Sequence, residues 1–324
     1  QQYNQSANGN SNLLLFNFIY VIHQRILEVF HNHKSGDPDE ETIDGIQKQR
    51  IVSGRIRRIL VICDGCTDNT VSLLTKYSTR NSKIEVIVNK TRKGKAYRLN
   101  QVFKSINTDI FIQVDSDIIF ENEQVLDSLI KKISSAKDEV LAAGNTIPLK
   151  PITFTEKAIM STFNLYYQLR YITYGGNNIY SADGKLMGYS KKLYKKIHFP
   201  KNLLSEDAYA YLFSFQQKYT YLFAADAVVR YRLPNTLKDQ IKQNSRFLAG
   251  VRQLDHMFDV SVMRRAYLKP RGMFVVGLMK AFIKNPILTV YIKIINLYCK
   301  LLSSHKEYNN AKWDVSASTK RGIA

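Results

Sequence analysis

Three apolar runs, RILVIC at 58–63, KIEVIV at 83–88 and IFIQV at 110–114, alternate with stretches of helical pattern at about 69–79 and 95–106. Short apolar runs bounded by turn residues read as strands, and their alternation with helices is the mark of a sheet with crossover connections. The spacing therefore predicts an α/β fold. Asp68 stands where it would cap the first helix, and the second follows the loop NKTRKG. The segment KSGDPDEETIDGIQKQR at 34–50 is polar with an acidic middle, so it reads as an exposed loop.

With 324 residues and 45% hydrophobic content the chain can bury one large core or two modest ones, which excludes a disordered protein. Three parts suggest themselves: 1–150, 151–255 and 256–324. From 151 onward Tyr and Phe are frequent, as in FNLYYQLRYITY at 163–174, which suits helices packed over a sheet or a sugar-binding wall. Near the C-terminus Ile287, Tyr291, Ile294, Tyr298 and Leu301 recur at helical spacing, with Lys284, Lys293 and Lys300 among them. Such an amphipathic helix lies in a membrane interface or docks on the core. The run LLLFNFIYVI is ten residues long, too short to span a bilayer, and no basic segment precedes it, so no secretion signal is expected.

Only three cysteines occur, Cys63, Cys66 and Cys299, so no disulfide framework is expected and a reducing, cytoplasmic compartment is the natural reading. The formal charge of +20 needs an anionic partner: nucleic acid, a membrane surface or a small substrate. The basic residues are scattered and form neither a recognition helix nor an RNA-stacking motif, so nucleic acid is not the expected partner.

The stretch VICDGCTDNT at 61–70 sets Cys63 and Cys66 at C-x-x-C spacing beside Asp64 and Asp68. Zinc wants four ligands, and no second C-x-x-C and no His pair at ligand spacing follows. A redox dithiol at a strand end is mechanically sensible, but nothing else resembles a thioredoxin unit. The aspartates have counterparts in Asp115 and Asp117 of IFIQVDSDIIF. A carboxylate pair at i and i+2 after a strand suits Mg²⁺ or Mn²⁺ shared with a diphosphate, and equally an acidic turn closing a strand.

Taken in order, the motifs resemble those of the family 2 glycosyltransferases. CDGCTDNT is similar to that family's D-D-G-S-x-D-x-T turn, KGKAYRLN at 93–100 to its G-K-x-x-x-L-N segment, and DSD at 115–117 to its D-x-D. LLSEDAYAYLF at 203–213 is similar to its E-D motif, and IKQNSRFLAG at 241–250 to its Q-x-x-R-W segment with Phe247 in place of Trp. The resemblance implies the GT-A fold: a Rossmann-like, mixed and mostly parallel sheet flanked by helices, here with a C-terminal helical extension. It implies an inverting hexosyltransferase that uses a nucleotide sugar, most simply a UDP-sugar, and a hydroxyl acceptor, in polysaccharide or glycolipid synthesis.

Residue by residue, the resemblance gives Asp64 to the nucleobase, and Lys95, Gln243 and Arg246 to the diphosphate. It gives Asp115 to ribose or metal, Asp117 to Mg²⁺ or Mn²⁺, Asp207 to the general base with Glu206 alongside, and Phe247 to an acceptor sugar. Each also has a plainer reading. Lys95 and Gln243 fit a solvated surface, Arg246 a surface ion pair, and Glu206 and Asp207 a helix N-terminus. Cys63 and Cys66 become bystanders in the family's Asp and Ser positions. The family's P-x-Y-N-E turn, laid over 17–30, lacks its Pro, Asn and Glu, with Phe18, Val21 and Ile22 in their places.

The expected partners are a nucleotide sugar, a carbohydrate or lipid-linked acceptor, and an anionic membrane at the inner face of the cell membrane. A catalytically inactive binding module of the same fold is the alternative, and a basic nucleic-acid-binding protein a second.

Overall fold

The computed structural model describes residues 17–23, 38–66, 70–268 and 270–305. Strands β1 (Asn17–His23), β2 (Arg55–Asp64), β3 (Ile84–Asn89) and β4 (Ile110–Asp115) pair in parallel in the order β3-β2-β1-β4. Helices α2 (Thr70–Arg80) and α3 (Lys95–Ser105) form the crossovers at β3. The inner part of β2 and most of β4 are buried, as expected of parallel strands covered on both faces. The runs RILVIC and IFIQV lie within β2 and β4, and KIEVIV lies within β3 from Ile84 onward.

The sheet then changes character. Strands β5 (Ile118–Phe120), β6 (Val140–Pro148), β7 (Leu186–Ser190) and β8 (Thr220–Tyr231) extend it in the order β4-β7-β6-β8-β5. β7 is antiparallel to β4 and β6, β8 is parallel to β6, and β5 is antiparallel to β8. Strands from either side of residue 150 thus alternate in a single mixed sheet. Gln113, wholly buried in the middle of β4, is satisfied there by the Gly184 carbonyl and the Tyr189 hydroxyl, so this polar residue fixes the loop before β7.

Two apolar clusters fill the faces. One gathers Phe103, Phe111, Tyr189 and Phe199, with Phe103 and Phe111 edge to face at 5.1 Å. The other gathers Val61, Ile112, Val114 and Leu129 with Ile43 and Ile46. Those last two isoleucines belong to helix α1 (Pro38–Gln47), which corrects the expectation of an exposed loop at 34–50. Ile43 and Ile46, three apart, share a helix face and are fully buried. The acidic run that suggested a loop is a helix start: proline suits the first helical position and acids the first turn. Asp68 and the segment 24–30 lie outside the described residues, so neither the cap nor the later part of the P-x-Y-N-E overlay on 17–30 bears on the fold.

Helix α4 (Val125–Ser134) covers β6, β7 and β8, while α5 (Phe154–Ile172) starts with a reciprocal Thr153 and Glu156 cap. After the short α6 (Lys191–Tyr194) come α7 (Glu206–Gln216), α8 (Leu237–Asp255), α9 (Val260–Ala266), α10 (Arg271–Lys284) and α11 (Pro286–His305). α11 packs on α8 and α5, and α10 on α5 and α11. None of the described helices is long and apolar enough to cross a membrane.

Candidate active site

Parallel sheets bind ligands beyond the carboxyl ends of their strands. Asp64 closes β2, Asn89 closes β3 and Asp115 closes β4, so three polar side chains meet at one end of the sheet. Lys95, the first residue of α3, reaches across this end. Its ammonium lies 2.6 Å from Asp115 Oδ1 and 2.7 Å from Glu206 Oε1, and donates to the Gly184 carbonyl at 3.0 Å. Lys95 is therefore no solvated surface lysine. It is 8% exposed, and although burial favours the neutral amine, the two carboxylates hold its pKa above the ordinary lysine value.

Glu206 and Asp207 occupy the first turn of α7 and face opposite environments. Burial raises the Glu206 carboxyl, but Lys95 overrides this and leaves it below the usual range. Among the described residues no cation pairs with Asp207 in this way. Burial, then the charges of Glu206 and Asp183, push it up to about 6. Its two oxygens accept from the backbone N–H groups of Gly184 and Ala208 at 3.2 and 2.8 Å, which orient the carboxylate. Two adjacent acids whose pKa values are driven apart are suited to different roles.

A third carboxylate, Asp183, sits beside this pair. Burial pushes it up, while Lys185, Arg170 and the Thr146 hydroxyl more than reverse this, so it is held well below the usual carboxylate range. Asp115 moves the other way: burial raises it, Lys95 lowers it and Asp117 raises it further, with a net rise.

Asp115 and Asp117 both line a cleft of about 630 Å³, together with Asp207, Gln243, Arg246 and Phe247. The structure thus gathers the residues singled out from the sequence around one space, except Asp64. Among the described residues no group of three or more acids, histidines or cysteines converges as a closed metal cage. The donor set fits an Mg²⁺ or Mn²⁺ ion all the same, because such ions take one or two carboxylates and complete their shell with phosphate and water. Phe247 is 44% exposed with the Arg246 guanidinium over its ring at 5.4 Å.

Asp64 stands apart from the cleft. It is 4% exposed, and its oxygens accept from Lys93 N–H at 3.0 Å, Gly94 N–H at 2.7 Å and Arg98 Nε at 2.6 Å. A uracil N–H would have to displace one of these donors. In this structure Asp64 fastens the 90–94 loop to the end of β2. Cys63, one residue earlier, is fully buried in the apolar core, as a bystander would be.

Several positioning residues escaped the sequence reading. Gly184 meets Lys95, Gln113 and Asp207 through its backbone, and a Cβ there would lie 2.9 Å from Glu206 Oε1. The D-G pair in SADGKL was its available signal. Thr42 Oγ1 is 2.9 Å from the carbonyl oxygens of both Ser116 and Ile118, so α1 supports the D-x-D turn. Arg170 and Lys185, which hold Asp183, had no local signal at all.

The sequence model of glycosyl transferase family 2 matches residues 31–198. The chain belongs to this family. As a family 2 member it is a glycosyltransferase, and its mixed sheet is the GT-A fold. No curated protein sequence matches it. Among solved structures it is similar to the mannosyltransferase PcManGT from Pyrobaculum calidifontis in complex with GDP-Man and Mn²⁺, with a TM-score of 0.54 and 13% identity over 90% of this chain and 81% of that one. It also aligns with glucosyl-3-phosphoglycerate synthase from Mycobacterium tuberculosis, in complex with Mn²⁺, UDP and glucosyl-3-phosphoglycerate, at a TM-score of 0.48 and 13% identity over 78% of this chain and 85% of that one. The family 2 match ends before Glu206, so the E-D pair, Gln243 and Arg246 join the site through the fold.

Proposed function

We propose that this protein moves a hexose from a nucleoside diphosphate sugar, most simply a UDP-sugar, to an acceptor hydroxyl with inversion. The observation that carries the reading is the split between Glu206, tied to Lys95, and Asp207, raised to about 6 and oriented by two backbone N–H groups. Of the cleft carboxylates, Asp183 is locked by cations and Glu206 by Lys95, while Asp115 ends β4 and Asp117 follows it in the next turn, on the donor side. Asp207 remains to take a proton near neutral pH.

The acceptor oxygen attacks the anomeric carbon and forms the new bond as the bond to the phosphate oxygen breaks. The electron pair leaves with the nucleoside diphosphate, and the acceptor proton passes to Asp207. One displacement with one base inverts the anomeric centre. Asp117, with Asp115 beside it, would hold Mg²⁺ or Mn²⁺, which when bound offsets diphosphate charge as a Lewis acid. The complex of PcManGT with GDP-Man and Mn²⁺, on a shared fold, supports both a nucleotide sugar and a divalent ion here.

Gln243 and Arg246 supply donors to the leaving diphosphate. Phe247 offers a ring face to an acceptor sugar, whether free carbohydrate or lipid-linked. Asp64 serves the nucleotide through the loop it fastens.

Calorimetric titration with UDP-, GDP- and dTDP-sugars, with and without Mn²⁺, tests the reading. Binding of one nucleotide class that needs the ion and is lost in Asp117→Ala is expected, with slow donor turnover that Asp207→Asn abolishes. Binding without any turnover would make the protein an inactive module of this fold. No binding by any nucleotide would end the transferase reading.

A further inference from the structure

The two C-terminal helices carry an apolar surface that the fold does not use. Val275, Met279 and Ile283 on α10 and Val290, Ile294 and Leu297 on α11 are all exposed, Ile283 to 77% and Ile294 to 60%. They border one groove of about 520 Å³ in which Thr289 and Lys293 are the polar residues. Exposed apolar area of this extent marks an interaction surface.

The opposite side of the hairpin is fastened to the body, so the apolar stripe has a fixed direction. Gly277 lets α10 lie against Leu165 of α5, since a Cβ there would come within 2.4 Å of Leu165 Cδ1. On α11, Ile292 and Cys299 are buried, Asn296 accepts a hydrogen bond from Asn244 at 2.7 Å, and Tyr291 meets Phe154 edge to face at 5.1 Å.

Charge decides what covers the stripe. Residues 260–305 contain eight Lys or Arg and no Asp or Glu. Lys280, Lys284 and Lys300 on the hairpin, and Arg264 and Arg265 before it, are exposed. A second copy docked through this face in a closed pair would set these cations against one another. An anionic lipid surface satisfies both features at once, acyl chains covering the apolar stripe and headgroups meeting the cations. No described helix can cross a membrane, so the hairpin would lie in the interface.

We infer that α10 and α11 form the surface by which this protein lies on an anionic membrane. Ile292 and Asn296 of α11 also line the active-site cleft, so one helix faces the cleft on one side and the lipid on the other. The acceptor hydroxyl is then one carried at the lipid surface. This last step rests on the transferase reading above, whereas the docking surface does not.

Flotation of the whole protein with vesicles of phosphatidylcholine, alone or mixed with phosphatidylglycerol, tests the inference. The protein is expected to float with the anionic vesicles and to bind the neutral ones at least about ten-fold more weakly. Ile283→Asp and Ile294→Asp should each weaken binding by about ten-fold or more, and Lys280→Glu with Lys284→Glu should remove the preference for anionic lipid. All four positions are exposed, and retained nucleotide-sugar binding reports that each variant is folded. Equal, weak binding to both vesicles, or aspartate variants that bind like wild type, would overturn the inference. So would a dimer in sedimentation velocity that Ile294→Asp dissociates while vesicles go unbound, since the occupant would then be a second copy. Vesicle binding by a protein that binds no nucleotide would uphold the docking surface and sink only the transferase reading.

Discussion

Lys95 Nζ lies 2.7 Å from Glu206 Oε1, joining the helix after the 90–94 loop to the helix that carries the proposed base. The same ammonium is 2.6 Å from Asp115, so one cation holds two carboxylates from distant parts of the chain. Lys95→Met leaves both uncompensated and is expected to cost about 3–5 kcal/mol in urea unfolding. Adding Glu206→Gln removes one stranded charge and should recover part of that loss. A Lys95→Met protein as stable as wild type would mean that the ammonium does not hold the two acids.

Asp207 makes the pH dependence specific. Its carboxyl is pushed up to about 6, so below that pH it is protonated and cannot accept the acceptor's proton. kcat/KM is expected to fall as pH drops through about 6, with Asp207→Asn slower by about 10²–10⁴-fold and lacking that inflection. Stability moves the opposite way. The folded chain holds this proton more tightly than the unfolded one, so Asp207 contributes a loss of stability as pH rises from about 4 to about 6. Asp207→Asn should therefore gain stability over wild type above pH 6 and not below 4, in denaturant titrations at fixed pH values. A pH profile that Asp207→Asn leaves unchanged would remove it from the base role.

What could be read before folding and what could not divides along chain separation. Asp115, Asp117, Glu206 and Asp207 each sit in short segments at a strand end or helix start, so local pattern located them. Gln113 looked like one polar residue in an apolar strand, and its importance comes from Gly184, 71 residues away. The parallel half of the sheet was legible from its alternation with helices, while β5, β7 and β8 pair through antiparallel contacts across long separations that periodicity does not report. At 34–50 the density of charge outweighed two isoleucines, and the burial of Ile43 and Ile46 depends on partners elsewhere in the chain. Asp64 stands in a turn that resembles a family motif, but whether its oxygens face a nucleotide or a loop depends on Arg98, which no motif singled out.

Thr42 ties that unrecognised helix to the D-x-D turn, its hydroxyl 2.9 Å from the carbonyls of Ser116 and Ile118. Thr42→Val keeps the shape and removes the donor, leaving buried carbonyl oxygens poorly satisfied at a cost of about 1–3 kcal/mol. Because the turn sits between Asp115 and Asp117, the Mn²⁺ concentration that half-saturates nucleotide-sugar binding should rise several-fold. Unchanged Mn²⁺ dependence, measured by calorimetry, would make the contact purely one of stability.

Arg98 offers the test of how the nucleotide side is built. Its guanidinium donates to Asp64 Oδ1 at 2.6 Å, to Asn89 and Gln101 side chains at 2.7 Å each, and to the Thr91 carbonyl at 2.6 Å. It thereby fastens the ends of β2 and β3 and the 90–94 loop to α3. A lysine has one compact ammonium and cannot reproduce this planar fork, so Arg98→Lys should behave as a loss rather than a conservative change. Destabilisation of about 1–3 kcal/mol is expected in urea unfolding, since one ammonium cannot reach Asp64, Asn89, Gln101 and the Thr91 carbonyl together and leaves buried acceptors unsatisfied. Donor KM should rise by about ten-fold, equivalent to about 1.4 kcal/mol of binding, because the loop is no longer held beside the nucleotide. The contacts of Lys95, Glu206 and Asp207 do not involve Arg98, so kcat at saturating donor should stay near wild type. A fall in kcat with KM unchanged would show instead that Arg98 acts on the chemical step, and the assignment of this end of the sheet to nucleotide binding would have to be withdrawn.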